Sequence, residues 1–285
     1  MAGAKNSEDM SAMREENGVG ERGVRGEEET STAEAHSTLR DAERKNQRWK
    51  NGWRQSKWLA ALDFALVAGI FIADQHHLIF FSKTPYLLAL GWISLWVRGM
   101  KWSDVGLTRG QSWTRTLPLG IAWGLALELF QLYATQPLLT RLTGKGPDLT
   151  DFLALRGNLT YCLVALALVW TLAAFGEELV WRGYLMNRVA GLFHNATPND
   201  SLPNHAMKHR SRVAWAVSLI VVNVAFGFAH SYQGWTGIIE EGLAGAFLGG
   251  MYLATGRNLA VPIVAHGVSD TLDVVLMFVG KMPGA

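Results

Sequence analysis

The sequence predicts an all-α fold, a polytopic transmembrane helix bundle of about seven spans behind a disordered N-terminal tail. Three observations predict it. Hydrophobic residues make up 49% of the chain, and they gather in blocks long enough to cross a hydrocarbon core of about 30 Å. The opening residues 1–57 are instead polar, with almost no aliphatic content before Trp49; such a segment buries too little surface to offset its chain entropy. Most charges lie between the apolar blocks, while a few acids, two histidines and an arginine fall inside them.

Three regions follow: a tail over 1–57, N-terminal transmembrane helices over 58–157, and a helical core over 158–280. The tail has no early apolar run, so it is not a cleavable signal peptide, and the first span acts as the insertion signal. Seven basic residues lie between Arg40 and Lys57. Beside a membrane span they read as a cytoplasmic anchor on anionic lipid.

Spans are expected at 58–73, 84–98, 116–139, 158–176, 213–232, 236–255 and 259–279. The first two are short, and polar Asp74-Gln75-His76-His77 separates them. Span three carries Glu128 and Gln131, tolerable only toward the bundle interior. Span six is rich in glycine (Gly242, Gly245, Gly249, Gly250), which lets neighbouring helices approach closely. Under a seven-span arrangement most Lys and Arg residues fall on the N-terminal side. That asymmetry places the N-terminus in the cytoplasm and makes the chain a multi-pass membrane protein, of the plasma membrane in a bacterium. Cys162 is the only cysteine, which excludes an intrachain disulfide and Cys-rich zinc sites. No phosphate-cradling loop or nucleic-acid module is present, so the expected partner of the basic stretch is membrane lipid, with no nucleic acid.

The polar groups inside the spans suggest a site. Glu177, Glu178 and Arg182 end a long apolar run, and each ionised side chain near a bilayer centre costs roughly 2.5–3.5 kcal/mol if unpaired. On a helix Glu178 and Arg182 stand at i and i+4 and can pair, while Glu177 points about 100° away. The division this suggests is a buried Glu178–Arg182 pair and a Glu177 free for chemistry; the alternative is a structural pair plus a snorkelling carboxylate. Phe226-Gly227-Phe228-Ala229-His230 adds an intramembrane imidazole late in span five. His266 and Asp270, early in span seven, are again i and i+4 on one face. Each group alone reads as a hydrogen bond that stitches helices; three of them, in spans four, five and seven of one bundle, point to a shared site.

Together, Glu177-Glu178-x-x-x-Arg182, Phe226-x-x-x-His230 and His266-x-x-x-Asp270 resemble the CPBP family of intramembrane proteases. That family includes the CAAX prenyl protease 2 enzymes and bacteriocin-processing relatives, and is also called the ABI family. The stretch from Gly242 through Gly249, Thr255-Gly256, Leu259 and Pro262-Ile263 to His266 fits as well. The resemblance covers roughly residues 160–275. It implies an endopeptidase acting on a membrane-associated peptide, either a prenylated CAAX-type protein or a leader peptide. It further implies that Glu177, helped by His230, activates water, that His266 and residue 270 stabilise the oxyanion, and that Glu178 and Arg182 hold the helix.

Asp270 departs from the family pattern, in which many members carry Asn. It can stay protonated, orient His266, or ligate a divalent metal such as zinc with His230 and His266. The family is often labelled metalloprotease, yet no His-Glu-x-x-His motif occurs here, and the metal-free version with no cofactor is the expected one. Two other functions compete: a catalytically inactive member acting as a membrane chaperone or immunity factor, and an ion-coupled transporter. The complete acid and histidine set opposes the first, and the lack of a visible inverted repeat opposes the second. Simple crossings would put Glu177 and His230 near opposite membrane faces. Either helix four continues through 179–193, or one span is broken or re-entrant.

Overall fold

A computed structural model describes residues 56–108, 112–193 and 204–283, and helices stand at all seven expected places. They are α1 (Lys57–Gln75), α2 (Lys83–Val97), α3 (Trp113–Thr143), α4 (Leu159–Phe193), α5 (Asn204–Ala229), α6 (Gly234–Ala254) and α7 (Ala260–Phe278). Short 3-10 turns at Trp102–Val105, Thr150–Leu155 and Ser231–Gln233 join some of them, and the described residues contain no strand. Apart from Ser56 and Lys57, the expected tail lies outside the described residues.

Length and composition support five membrane crossings: α1, α3, α4, α5 and α7. The 15 residues of α2 rise only about 22 Å, short of the hydrocarbon thickness. In α6, glycines together with Glu240 and Glu241 dilute the apolar content. The expected count of seven spans is therefore not what the helices themselves support. Large apolar side chains such as Trp58, Trp92, Trp96, Leu163 and Ile220 are exposed, as the outer surface of a bundle solvated by lipid requires.

The main departure from the sequence reading is α4. Its span was expected to end at residue 176, but the helix runs on to Phe193 and covers 35 residues. The Glu-Glu-Leu-Val-Trp-Arg stretch looks like a span terminus only if its charges meet water, and here Glu178 and Arg182 are fully buried and Glu177 is half-buried. Residues Val169–Glu177 and Leu179–Met186 adopt the wider π-helical winding, a deviation frequent at functional sites. Glu177 thus sits near the middle of α4, and α5 ends at Ala229, just before His230. Of the two topological solutions open to the sequence, continuation of helix four is the one adopted.

One core cluster surrounds the second half of α4, with Val180, Trp181, Tyr184, Met186, Phe226, Tyr252 and Leu259 all buried. Its aromatic rings meet edge to face, Phe71 on Trp181 at 5.8 Å and Trp181 on Phe226 at 5.2 Å between centroids. Such pairs contribute about 0.5–1.5 kcal/mol beyond their buried area. At the α1–α2 junction Asp63 accepts from Arg98 and from Ser94 Oγ, the latter at 3.0 Å. This buried pair was not anticipated. Asp74 and Lys83 close the far end of the same hairpin at 3.2 Å.

Small residues bring the helices together. A Cβ on Gly245 or Gly249 of α6 would meet Asn223 or Leu219 of α5 at 2.7 and 2.6 Å, whereas Gly250 faces open space. The same device joins α3 to α7, where a Cβ on Gly124 would stand 2.4 Å from the Ala265 carbonyl oxygen. Gly124→Ala is expected to force these two helices apart at a cost of about 1–3 kcal/mol, the usual range for overpacking. Thermal unfolding in detergent micelles checks this, and an unchanged midpoint would contradict the packing described.

Candidate active site

A cavity of about 360 Å³ opens between α3, α4, α6, α7 and the turn after α5. Glu177, His230, His266 and Asp270 all line it, with an apolar lining from Leu132, Phe152, Leu168, Leu172, Val274 and Met277. The helices thus bring together four of the six residues singled out in the sequence. The other two, Glu178 and Arg182, are fully buried behind it.

Glu177 enters the cavity because α4 continues past it and because Gly176 lets α2 lie close, a Cβ there meeting Thr84 at 3.0 Å. Thr84 Oγ1 donates to Glu177 Oε1 at 3.4 Å. Glu177 and His230 lie within electrostatic reach of each other. The His230 ring is fixed from its own helix end, where Nδ1 donates to the Phe226 carbonyl at 2.9 Å. That bond leaves Nε2 as the basic nitrogen of the neutral ring. Phe226 also stacks against the imidazole at 4.7 Å and takes the Arg182 guanidinium over its face at 4.7 Å.

Behind the cavity wall runs a continuous charged chain. Arg182 Nη1 donates to Glu178 Oε1 at 2.8 Å, and Nη2 donates to the Gly245 carbonyl of α6 at 2.9 Å. Glu178 Oε1 also accepts from His266 Nδ1 at 2.9 Å, and His266 Nε2 faces Asp270 Oδ2 at 3.4 Å. The expected Glu178–Arg182 pair is therefore present, but it is joined to His266 rather than separate from it. Two carboxyl groups on the two ring nitrogens are satisfied together by a doubly protonated imidazole, or by a neutral ring whose Nε2 accepts from a protonated Asp270.

Among the described residues no three His, Cys, Asp or Glu side chains converge as a metal-ligand set. His230, His266 and Asp270 share the cavity without forming the close shell that a divalent ion needs, so no step below is routed through a metal. The cavity also holds acids beyond the six residues singled out in the sequence, among them Glu128, expected there only to face the bundle interior. Glu128, Glu240, Glu241 and Asp273 line it beside Asp270. Asp273 was legible: His266, Asp270 and Asp273 at i, i+4 and i+7 share one helical face. Glu240 and Glu241, in the first half of α6, both line the cavity.

The described residues form an all-helical bundle with an acid–imidazole cavity at mid-helix and five helices able to cross a membrane, the architecture of an integral membrane protein. Residues 159–272 match the family model described as type II CAAX prenyl endopeptidase Rce1-like. This part of the chain is therefore similar to the CAAX-type protease family that its motifs resemble. The match spans all six motif residues, from Glu177 to Asp270. The family is a protease family but not a conventional metalloprotease one, so the metalloprotease label does not hold. No curated protein and no solved structure gives a significant match.

Proposed function

We propose that the chain is an intramembrane endopeptidase that hydrolyses a peptide bond in a membrane-associated, lipidated or leader-type substrate. The observation that carries this is the convergence of Glu177, His230, His266 and Asp270 on one cavity. The Glu177 carboxylate, aided by His230 Nε2, takes a proton from a water whose oxygen attacks the scissile carbonyl carbon. His266 donates to the oxyanion that forms, since its 3.4 Å contact to Asp270 is long enough to yield to a better acceptor. Collapse of the intermediate breaks the C–N bond, and the leaving amine takes the proton back from Glu177. Glu178 and Arg182 hold His266 in place from behind, and Asp270 orients the ring.

The apolar lining suits a substrate that arrives with a lipid chain or an apolar segment. The bilayer supplies the remaining partner, with the N-terminus on the cytoplasmic side of the plasma or equivalent membrane. The test is cleavage by purified wild-type protein in proteoliposomes, comparing a farnesylated C-terminal peptide with an unlipidated leader-type peptide. Hydrolysis of at least one is expected, and release of a fragment from neither would overturn the proposal.

Asp270→Asn separates the roles left open for this position. If Asp270 only orients His266, the amide serves as well. The rate then changes by less than about tenfold, far short of the roughly 10²–10³-fold that follows loss of an oxyanion donor. Complete loss accompanied by release of bound metal, followed by elemental analysis, would instead make Asp270 a ligand.

A further inference from the structure

The cavity carries more acid than the proposed chemistry uses. Glu177, Glu128, Glu240, Glu241, Asp270 and Asp273 line it, and among the described residues no Lys or Arg does. The nearest cationic groups are already paired, Lys83 with Asp74, Arg182 with Glu178, and His266 with Glu178 and Asp270. Two acceptors in this wall lack donors. Glu128 is 1% exposed; its Oε2 accepts from Ser269 at 2.8 Å, its Oε1 meets no N–H or hydroxyl donor, and its carboxyl group lies within hydrogen-bonding reach of the Asp273 carboxyl. Gln136, 6% exposed, likewise leaves its Oε1 unpartnered. Both residues line the cavity, and Asp273 and Glu241 stand within electrostatic reach of Glu128.

Buried acceptors without donors are costly, and unpaired acids inside a membrane protein more so. A cationic occupant offsets both. The spacing tells which kind: the acids do not converge into a metal shell. An organic cation reaches separated acceptors with several N–H donors, three from an ammonium and five from a guanidinium. Its aliphatic stem would lie along apolar neighbours such as Leu132 and Val274.

Resting on the peptidase reading, we infer that the Glu128–Asp273 wall is a specificity subsite for a lysine or arginine side chain of the substrate peptide. The carboxylates Glu128, Asp273 and Glu240 and the Gln136 carbonyl are its acceptors. Thr135 Oγ1 stands 3.4 Å from Glu240 Oε1 and shares its one proton between that carboxylate and the Gln131 carbonyl at 3.3 Å.

The test uses fluorescent farnesylated decapeptides in which one lysine, or norleucine in its place, is moved through successive positions. Binding to the full-length protein in detergent is read by anisotropy, and cleavage is read in parallel. At one register the lysine peptide is expected to bind at least about tenfold more tightly than its norleucine twin, the scale of a charge-assisted hydrogen bond. The ratio should collapse toward one in the Glu128→Gln/Asp273→Asn variant. Equal binding at every register by the wild-type protein overturns the inference, whatever the variants do. A ratio that persists in the double variant overturns it too. A binding preference without cleavage of any peptide leaves the subsite standing and removes the peptidase reading; cleavage without preference does the reverse.

Discussion

Arg182→Ala is expected to cost about 3–5 kcal/mol, the range for removing one partner of a buried ion pair. The guanidinium is fully buried, and it ties three helices: Glu178 of its own helix, the Gly245 carbonyl of α6, and the Phe226 ring of α5. Truncation would leave Glu178 facing only His266, with a cavity where the guanidinium had been. The same loss loosens the wall that holds His266, so stability and activity should fall together. Denaturant unfolding in micelles measures the first. Glu178→Gln/Arg182→Met, which removes both charges and keeps much of the volume, should recover part of it. If Arg182→Ala unfolds at the wild-type midpoint, the charged chain behind the cavity is not a structural element.

The second large effect is on rate. Glu177→Ala and His230→Ala should each slow peptide cleavage by about 10²–10⁴-fold, the usual contribution of a positioned general base. Because the two act on one water, the double variant should be little worse than the poorer single one, as for groups that function as a unit. Neither change should disturb folding much, since both side chains are only partly buried. Multiplicative losses would show two independent contributions, and unaffected cleavage in both would remove the water-activation scheme.

How far the site was legible follows from the range of the contacts involved. The Glu178–Arg182 and His266–Asp270 pairs lie four residues apart on single helices, so periodicity alone revealed them. The Glu178–His266 bond joins residues 88 positions apart, and no local pattern encodes it. For the same reason Asp63–Arg98 and the partnership of Glu128 with Ser269 went unseen. Span limits failed where charges are buried: hydropathy reads Glu177–Arg182 as the end of a membrane helix because it assumes that charges seek water. In α4 they find each other, His266 and the Gly245 carbonyl, and the helix continues. The π-helical winding around Glu177 has no sequence signature of its own, and the number of crossings depends on lengths and compositions close to the limit in α2 and α6.

The most direct measurement of the central geometry is a thiol crosslink between positions 177 and 230. With Cys162, the only native cysteine, replaced by alanine, a Glu177→Cys/His230→Cys chain in native membranes is treated with a short bifunctional thiol reagent. An intramolecular link should form in high yield, while a Glu177→Cys/Phe228→Cys control should not link, because Phe228, near the end of α5, is exposed on the outside of the bundle. Failure of the 177–230 pair to link, with both thiols reactive singly, would contradict a cavity shared by the acid of α4 and the imidazole beyond α5.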